Sequence, residues 1–292
     1  MNKATLLACV AYLIWGFAAL YWVETKPVSP LDLVAHRALW SVPVLVLVLL
    51  AMQRMRAGLG ILRQPRALLI LLASATAQAC NWLIFLWAIT HERATEASLG
   101  YFLLPLINVA LGVFLFKEVV DRAQRVAISL AAVGMLILVV ENGGLPWVAL
   151  GVAVSFGLYG AIRKQVNIGA VEGLFVETLL MAPLALGWLI YSGWGGLGQY
   201  GGRVDVFLLG AGVMTAVPLI CYVVASRRLP LTALGLVFYL GPSCQLFVAI
   251  CIFDEPLNPI QLFSFGLVWL GLAFMAADSL RRMRNMRRLR HE

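Results

Sequence analysis

Ten stretches of 17 to 23 residues carry few or no charges: about 4–22, 31–52, 67–89, 97–116, 123–140, 146–162, 173–191, 205–225, 232–252 and 259–278. A helix crossing the ~30 Å hydrocarbon core of a bilayer needs about 20 such residues. Water is the wrong solvent for the chain: 62% of it is drawn from AVILMFWYC and only 12% is charged, against roughly a quarter in soluble domains. None of the stretches alternates with a period of two, which argues against an outer-membrane barrel. Lys3 followed by Ala4–Leu20 resembles a signal peptide, but no A-x-A-like site follows and nine further segments do, so it reads as a retained first span. The expected fold is an all-α integral membrane protein with ten transmembrane helices.

Ten spans place both ends on one side, and the basic residues say which. Eighteen of the 22 Lys and Arg fall on the N-terminal side, including Arg54, Arg56, Arg63, Arg66, Arg163 and six arginines after residue 280. Only Lys26, Arg93 and Arg203 fall opposite, and Arg37 lies inside a span. Such a bias predicts cytoplasmic termini. The basic tail, 279–292, reads as a topology determinant resting on anionic lipid rather than as a nucleic-acid contact. The five cysteines contain no C-x-x-C pair and the three histidines are far apart, so neither a metal, a disulfide framework nor any other cofactor is expected.

The chain repeats itself. Shifted by 137 residues, Pro105 meets Pro242, Glu118 meets Glu255 and Gly134 meets Gly271; shifted by 141, Gly16 meets Gly157. The slip of four falls in loops 54–66 and 192–204, where insertions cost little. This divides the chain into five-helix repeats at 4–140 and 146–278. Five is odd, so the second copy enters the membrane upside down. Inverted repeats of this kind place a site near the midplane between the halves, exposed to alternate sides as one half rocks against the other.

Ionisable groups inside a span cost at least a few kcal/mol and call for a reason. Three stand out: His36, Arg37 and Glu177. Inversion puts Arg37 and Glu177 at different depths, so a direct pair is disfavoured; Glu96, Glu92 or Glu24 are the expected partners of Arg37, and Arg163 or Lys164 those of Glu177. The functional alternative is a substrate carboxylate held by Arg37, with Glu177 or His36 as a proton carrier. Asn81, Gln78, Asn108 and Gln245 serve either interhelical hydrogen bonds or a polar cavity wall. Trp15, Trp82, Trp87, Tyr101, Phe102, Phe238 and Tyr239 would supply the aromatic part of such a wall. Pro105, Pro218 and Pro242 sit inside spans and break them, which is tolerated where protein or a water-lined cavity satisfies the freed carbonyls. Glu118 and Glu255, at span ends, suit local capping or a loop ion pair.

Several segments resemble the EamA branch of the drug/metabolite transporters, and within it the RarD-type group: Ala11-Tyr12 with Ile14-Trp15-Gly16, His36-Arg37 with Trp40-Ser41, Asn81-Trp82 with Phe85, Glu96 through Phe102 with Pro105, and Tyr239-Leu240-Gly241-Pro242. The resemblance runs from about 5 to 278. It implies a permease of the bacterial inner (cell) membrane moving small metabolites or drugs through a cavity between the halves. The chain departs from the pattern at Leu179-Leu180-Met181, where a tryptophan is expected after Glu177-Thr178.

The reading is therefore a secondary-active transporter, an exporter working by alternating access, with the site built from the first, third, fourth, sixth, eighth and ninth spans. No Walker A sequence points to ATP, and no G-x-S-x-G, H-E-x-x-H or paired intramembrane aspartates point to an enzyme. A structural or partner-binding membrane protein is the alternative, and it would not need inverted halves with matched prolines. The expected partners are a small-molecule substrate and lipid, with no nucleic acid; the sequence leaves the oligomeric state open.

Overall fold

A computed structural model describes residues 3–117, 122–141, 146–163, 165–226, 237–238, 240–256 and 258–288, and these form helices and turns with no strand among them. The first predicted span is two helices, α1 (Lys3–Gly16) and α2 (Ala18–Trp22), the latter running into a 3₁₀ turn at Val23–Thr25; the two parts bend by 42°. There follow α3 (Pro30–Ala51), the short α4 (Met55–Ile61), α5 (Pro65–Thr90), α6 (Ala94–Phe116), α7 (Arg122–Glu141) and α8 (Trp147–Arg163). The chain continues with α9 (Ala170–Tyr191), α10 (Gly202–Ser226), α11 (Leu240–Cys251) and α12 (Pro259–Arg288).

Local sequence explains where these helices start. Ser29 caps α3, its hydroxyl accepting from the Asp32 N–H at 3.2 Å, and Pro30 supplies the fixed φ of a first helical residue. Pro65 does the same for α5. Every one of the ten predicted segments contains a helix. Among the described residues α3, α5, α9 and α10 are individually long and apolar enough to cross a membrane, and α1 with α2 makes a fifth across its bend. The apolar parts of α8, α11 and α12 are shorter. Residues 232–236 and 239 of the ninth predicted span lie outside the described residues, and α12 runs past 278, so the basic tail is helical to Arg288.

Helices in lipid gain nothing by escaping water, so close packing of small residues and buried hydrogen bonds must hold them together. Ala4, Ala8 and Ala11, all nearly or fully buried, form the inner stripe of α1, which packs on α10 and α11. Further close pairs are α3 with α9, α3 with α10, α5 with α8, α6 with α8, α6 with α11 and α7 with α12. Leu47, Leu69 and Leu184 project outward, each more than 60% exposed, as a lipid-facing surface requires.

Two glycines set the α7–α12 distance. A Cβ at Gly134 would stand 3.0 Å from the Ser264 carbonyl oxygen, and one at Gly271 would stand 3.0 Å from the Ala127 Cα. Gly134→Leu should therefore force these helices apart and cost about 1–3 kcal/mol, read as a lowered unfolding temperature in detergent. Gly266→Ala, with no neighbour within 4 Å of the added carbon, should leave that temperature unchanged.

Candidate functional site: a central aromatic cavity

The helices enclose a cavity of about 420 Å³, the size of a small-ligand site. At one end it reaches Arg163 and Ala170, where α8 passes into α9; at the other it stops at Trp22 and Arg37. Of the predicted wall residues, Trp15, Arg37, Asn81, Trp82, Tyr101, Asn108 and Gln245 line it, together with Phe238, Gln78 and Pro242. Tyr239 lies outside the described residues, as does the side chain of Pro105, whose backbone is part of α6. Pro218 is inside α10 but away from the wall. Trp87 stacks on His91 at a ring separation of 4.3 Å, and Phe102 packs on Phe265 and Trp269, so these two aromatics belong to helix packing. The structure adds Trp22, Phe85, Phe156, Tyr159, Thr215 and Tyr222 to the wall. Two helices outside the six spans expected to build the site also reach it, α3 through the predicted Arg37 and α9 through Ala170 and Leu174.

Arg37 does not pair with the expected carboxylates. Glu24 binds Arg203 at 2.8 Å, Glu92 binds Lys26 at 2.7 Å and Glu96 binds Arg93. The Lys26 ammonium, by its hydrogen bond and its charge, holds the exposed Glu92 carboxyl below the ordinary carboxylate range. Arg37 instead lies beside two indoles, with Cζ 4.2 Å from the Trp82 ring centre and 5.1 Å from that of Trp22. Its Nε donates to Thr215 Oγ1 at 2.9 Å. Cation–π contacts stabilise a desolvated guanidinium by up to about 2 kcal/mol each, which helps hold a charge at this depth.

Asn81 ties helices together. Its Nδ2 donates to the Val152 carbonyl and to Ser155, and its Oδ1 accepts from the Tyr101 hydroxyl at 3.2 Å. Gln245 donates to the Trp15 carbonyl, leaving its Oε1 buried without a partner among the described residues, as is Gln78 Oε1.

Glu177 and His36 both sit off the cavity wall. Glu177 accepts from Ser74 and Tyr159 and faces Arg163 Nε at 3.5 Å; the Arg163 pairing matches the expectation, and Lys164 lies outside the described residues. Gly173 leaves room for that guanidinium, which a Cβ would strike. His36 is fully buried, with Nε2 at 3.2 Å from both the Trp194 and Gly195 carbonyls and Nδ1 accepting from Trp40 Nε1. With Nδ1 an acceptor, Nε2 carries the proton and serves both carbonyls. His36 thereby pins the 192–201 loop, where Gly193, Trp194, Gly195 and Gly196 all adopt positive φ. Neither residue is part of the cavity wall, and Glu177 meets it through Tyr159, which lines it.

Beyond Trp22 the passage is filled by buried Val28, Leu33, Leu86, Ile89, Val204 and Leu208. Polar bonds lie across this closed end: Arg203 to Glu24, Trp188 Nε1 to Asp32 at 2.8 Å, and His36 to its loop. Glu255 caps α6 from the far half, accepting from the Ala94 N–H at 2.7 Å, the Thr95 N–H at 2.8 Å and the Thr95 hydroxyl at 2.6 Å. Local capping or a loop ion pair was the role expected for Glu255, and the cap it makes is instead a long-range one, on a helix some 160 residues away in sequence; Glu118 lies outside the described residues.

The EamA-like transporter family matches this chain twice, over residues 2–140 and 144–277. The chain belongs to the EamA-like transporter family. An uncharacterized transporter of Vibrio cholerae is 36% identical over 292 residues, covering 99% of this chain and 97% of that one. The RarD protein of Streptomyces exfoliatus is 37% identical over 280 residues, covering 95% and 89%. A solved protein structure superimposes with a TM-score of 0.62 at 20% identity, covering 94% of this chain and 97% of that one; that likeness carries the fold alone. This EamA protein is a RarD-like, multi-pass membrane transporter.

The Glu177–Arg163 pair is buried, so removing one partner strands the other. Glu177→Gln alone should lower stability by about 3 kcal/mol. The double variant Glu177→Gln, Arg163→Met should cost less than the two single changes added together, measured as a thermal double-mutant cycle.

Proposed function

We propose that this protein is a secondary-active permease of small metabolites or drugs, built from two inverted five-helix halves that rock about the cavity. The observation that carries the reading is the make-up of the wall. Shifted by 141, Trp15, Ala18 and Trp22 become Phe156, Tyr159 and Arg163; shifted by 137, Gln78, Trp82, Phe85, Tyr101, Leu104 and Asn108 become Thr215, Leu219, Tyr222, Phe238, Gly241 and Gln245. All eighteen line the cavity. A site whose wall comes from equivalent positions of both halves lies on the axis that relates them, where alternating access requires it.

Helix contacts obey the same register. Gly134 meets Ser264 while Gly271 meets Ala127, and Gly16 meets Cys244 while Gly157 meets Ile107; each contact maps onto its partner under the two shifts. The two matches of the family, one to each half, support the division as well. The excess of Lys and Arg on the N-terminal side favours cytoplasmic termini in a bacterial inner membrane, and the end of the cavity at Arg163 then faces the cytoplasm.

The clamp at the closed end suggests how the halves alternate. Glu255 and Thr95 join them here, and their counterparts in the register are Glu118 and Thr232, outside the described residues.

Asn108, which faces the cavity, tests the access claim once Asn108→Cys is placed in a background lacking the five native cysteines. A membrane-impermeant maleimide should label it from the Arg163 side. Adding Glu255→Gln, which removes the carboxylate that joins the halves, should raise labelling from the opposite side severalfold. Equal labelling from the opposite side with and without Glu255 would contradict alternating access through this clamp. A thermal-shift screen with amino acids, nucleosides, small acids and phenicol drugs should give one class of stabilising ligand, by mass action on the folded state. That class should then move across proteoliposomes.

A further inference from the structure

Two cations line the cavity, Arg37 and Arg163, and no acidic side chain does among the described residues. Arg163 is answered by Glu177 behind the wall at 3.5 Å. Arg37 has no such partner among the described residues: Glu24, Glu92 and Glu96 are each committed to another cation, and Asp32 accepts from Trp188 and Ser29. The repeat makes the asymmetry sharper, because the counterpart of Arg37 is Thr178, which is buried away from the wall and bonds its own helix.

The free donors of Arg37 have a defined shape. Of its five N–H groups, the one on Nε is spent on Thr215. The Thr215 hydroxyl proton is directed to the Ala211 carbonyl at 2.9 Å, so its lone pair stays turned to Arg37. Trp82 and Trp22 lie against the guanidinium. What remains is the edge carrying Nη1 and Nη2, a fork that matches a carboxylate with two parallel hydrogen bonds. Trp15, Tyr101, Phe156 and Phe238 supply flat apolar surface elsewhere on the wall.

We propose that the cavity takes an organic monoanion, a carboxylate on a flat apolar body, with Arg37 as its anchor. This rests on the transport reading above and names the substrate class of the same site. A dianionic phosphate would bring a second charge with nothing to balance it, and an amine would find no carboxylate on the wall. The ligand completes an ion pair that the protein leaves half made, since a buried charge without a counter-charge is costly.

Isothermal titration of the full-length protein in detergent at neutral pH tests this with 3-phenylpropanoate, 3-phenylpropanamide, 3-phenylpropylamine and phenyl phosphate. The carboxylate should bind at least about tenfold more tightly than the amide, the size of a charge-assisted hydrogen-bond pair. Arg37→Gln should level the two, and Arg37→Lys should lose most of the preference because the fork is gone. Thr215→Val keeps the charge and frees Nε; it should weaken carboxylate binding only in part, and it serves if the Arg37 variants do not fold. Amide or amine binding as tight as the carboxylate, tighter binding of phenyl phosphate, or no carboxylate binding at millimolar concentration would overturn the assignment. Maleimide labelling of the cavity needs no ligand, so the access mechanism stands or falls separately from the substrate class.

Discussion

Everything in this structure depends on how helices attract one another where there is no water to escape. In lipid an outward leucine is as comfortable as an inward one, so the fold is specified by close approach and by polar groups that must be satisfied. Gly134 and Gly271 let α7 and α12 touch, Gly16 and Gly157 do the same for α1 with α11 and α8 with α6, and an alanine stripe seats α1. Buried polar side chains then fix register: Asn81 binds α8 through Val152 and Ser155, Ser98 donates to the Pro242 carbonyl, and Glu255 satisfies the opening turn of α6. Such contacts are few and discrete, which is what the proposed exchange of closure between the two ends requires.

The cavity follows from the same economy of polar groups. The first span bends by 42° between α1 and α2, and the cavity beside it is walled by rings that prefer an apolar surround with one polar edge. Among the described residues Arg37 is a buried cation without a counter-charge. Its environment of two indoles and one hydroxyl stabilises the cation while leaving its hydrogen-bonding edge open, an arrangement suited to a partner that comes and goes.

Much of this was legible in the sequence because depth and residue type carry it. Apolar runs located every helix but the short α4, which falls in the stretch read as loop 54–66, and polar or aromatic residues within the spans located nine wall positions, Trp15, Arg37, Gln78, Asn81, Trp82, Tyr101, Asn108, Phe238 and Gln245. Trp22 was missed because a tryptophan near a span end resembles an interface anchor, and Thr215 because a threonine in a helix ordinarily bonds its own turn, as this one also does. For Phe156, Tyr159 and Tyr222 the sequence does carry a signal: the repeat shifts map Trp15, Ala18 and Phe85 onto them. The partners of Arg37 and the loop-pinning role of His36 were beyond sequence, since both depend on which side chains α10 and the 192–201 loop bring up to α3. Pro43 and Pro183 also lie inside helices, α3 and α9, and have no counterpart proline in the repeat register to mark them.

The central claim is that two rigid halves exchange closure from one end of the cavity to the other. Paired spin labels test it most directly in lipid nanodiscs, one pair at Arg56→Cys and Gln165→Cys near the Arg163 end, the other at Glu92→Cys and Gln199→Cys at the closed end. All four positions are exposed, and each pair joins the two halves. Dipolar distance distributions should be anticorrelated: conditions that shorten the first pair lengthen the second. Distances that stay fixed at both ends, or that lengthen together, would contradict rocking about a shared site.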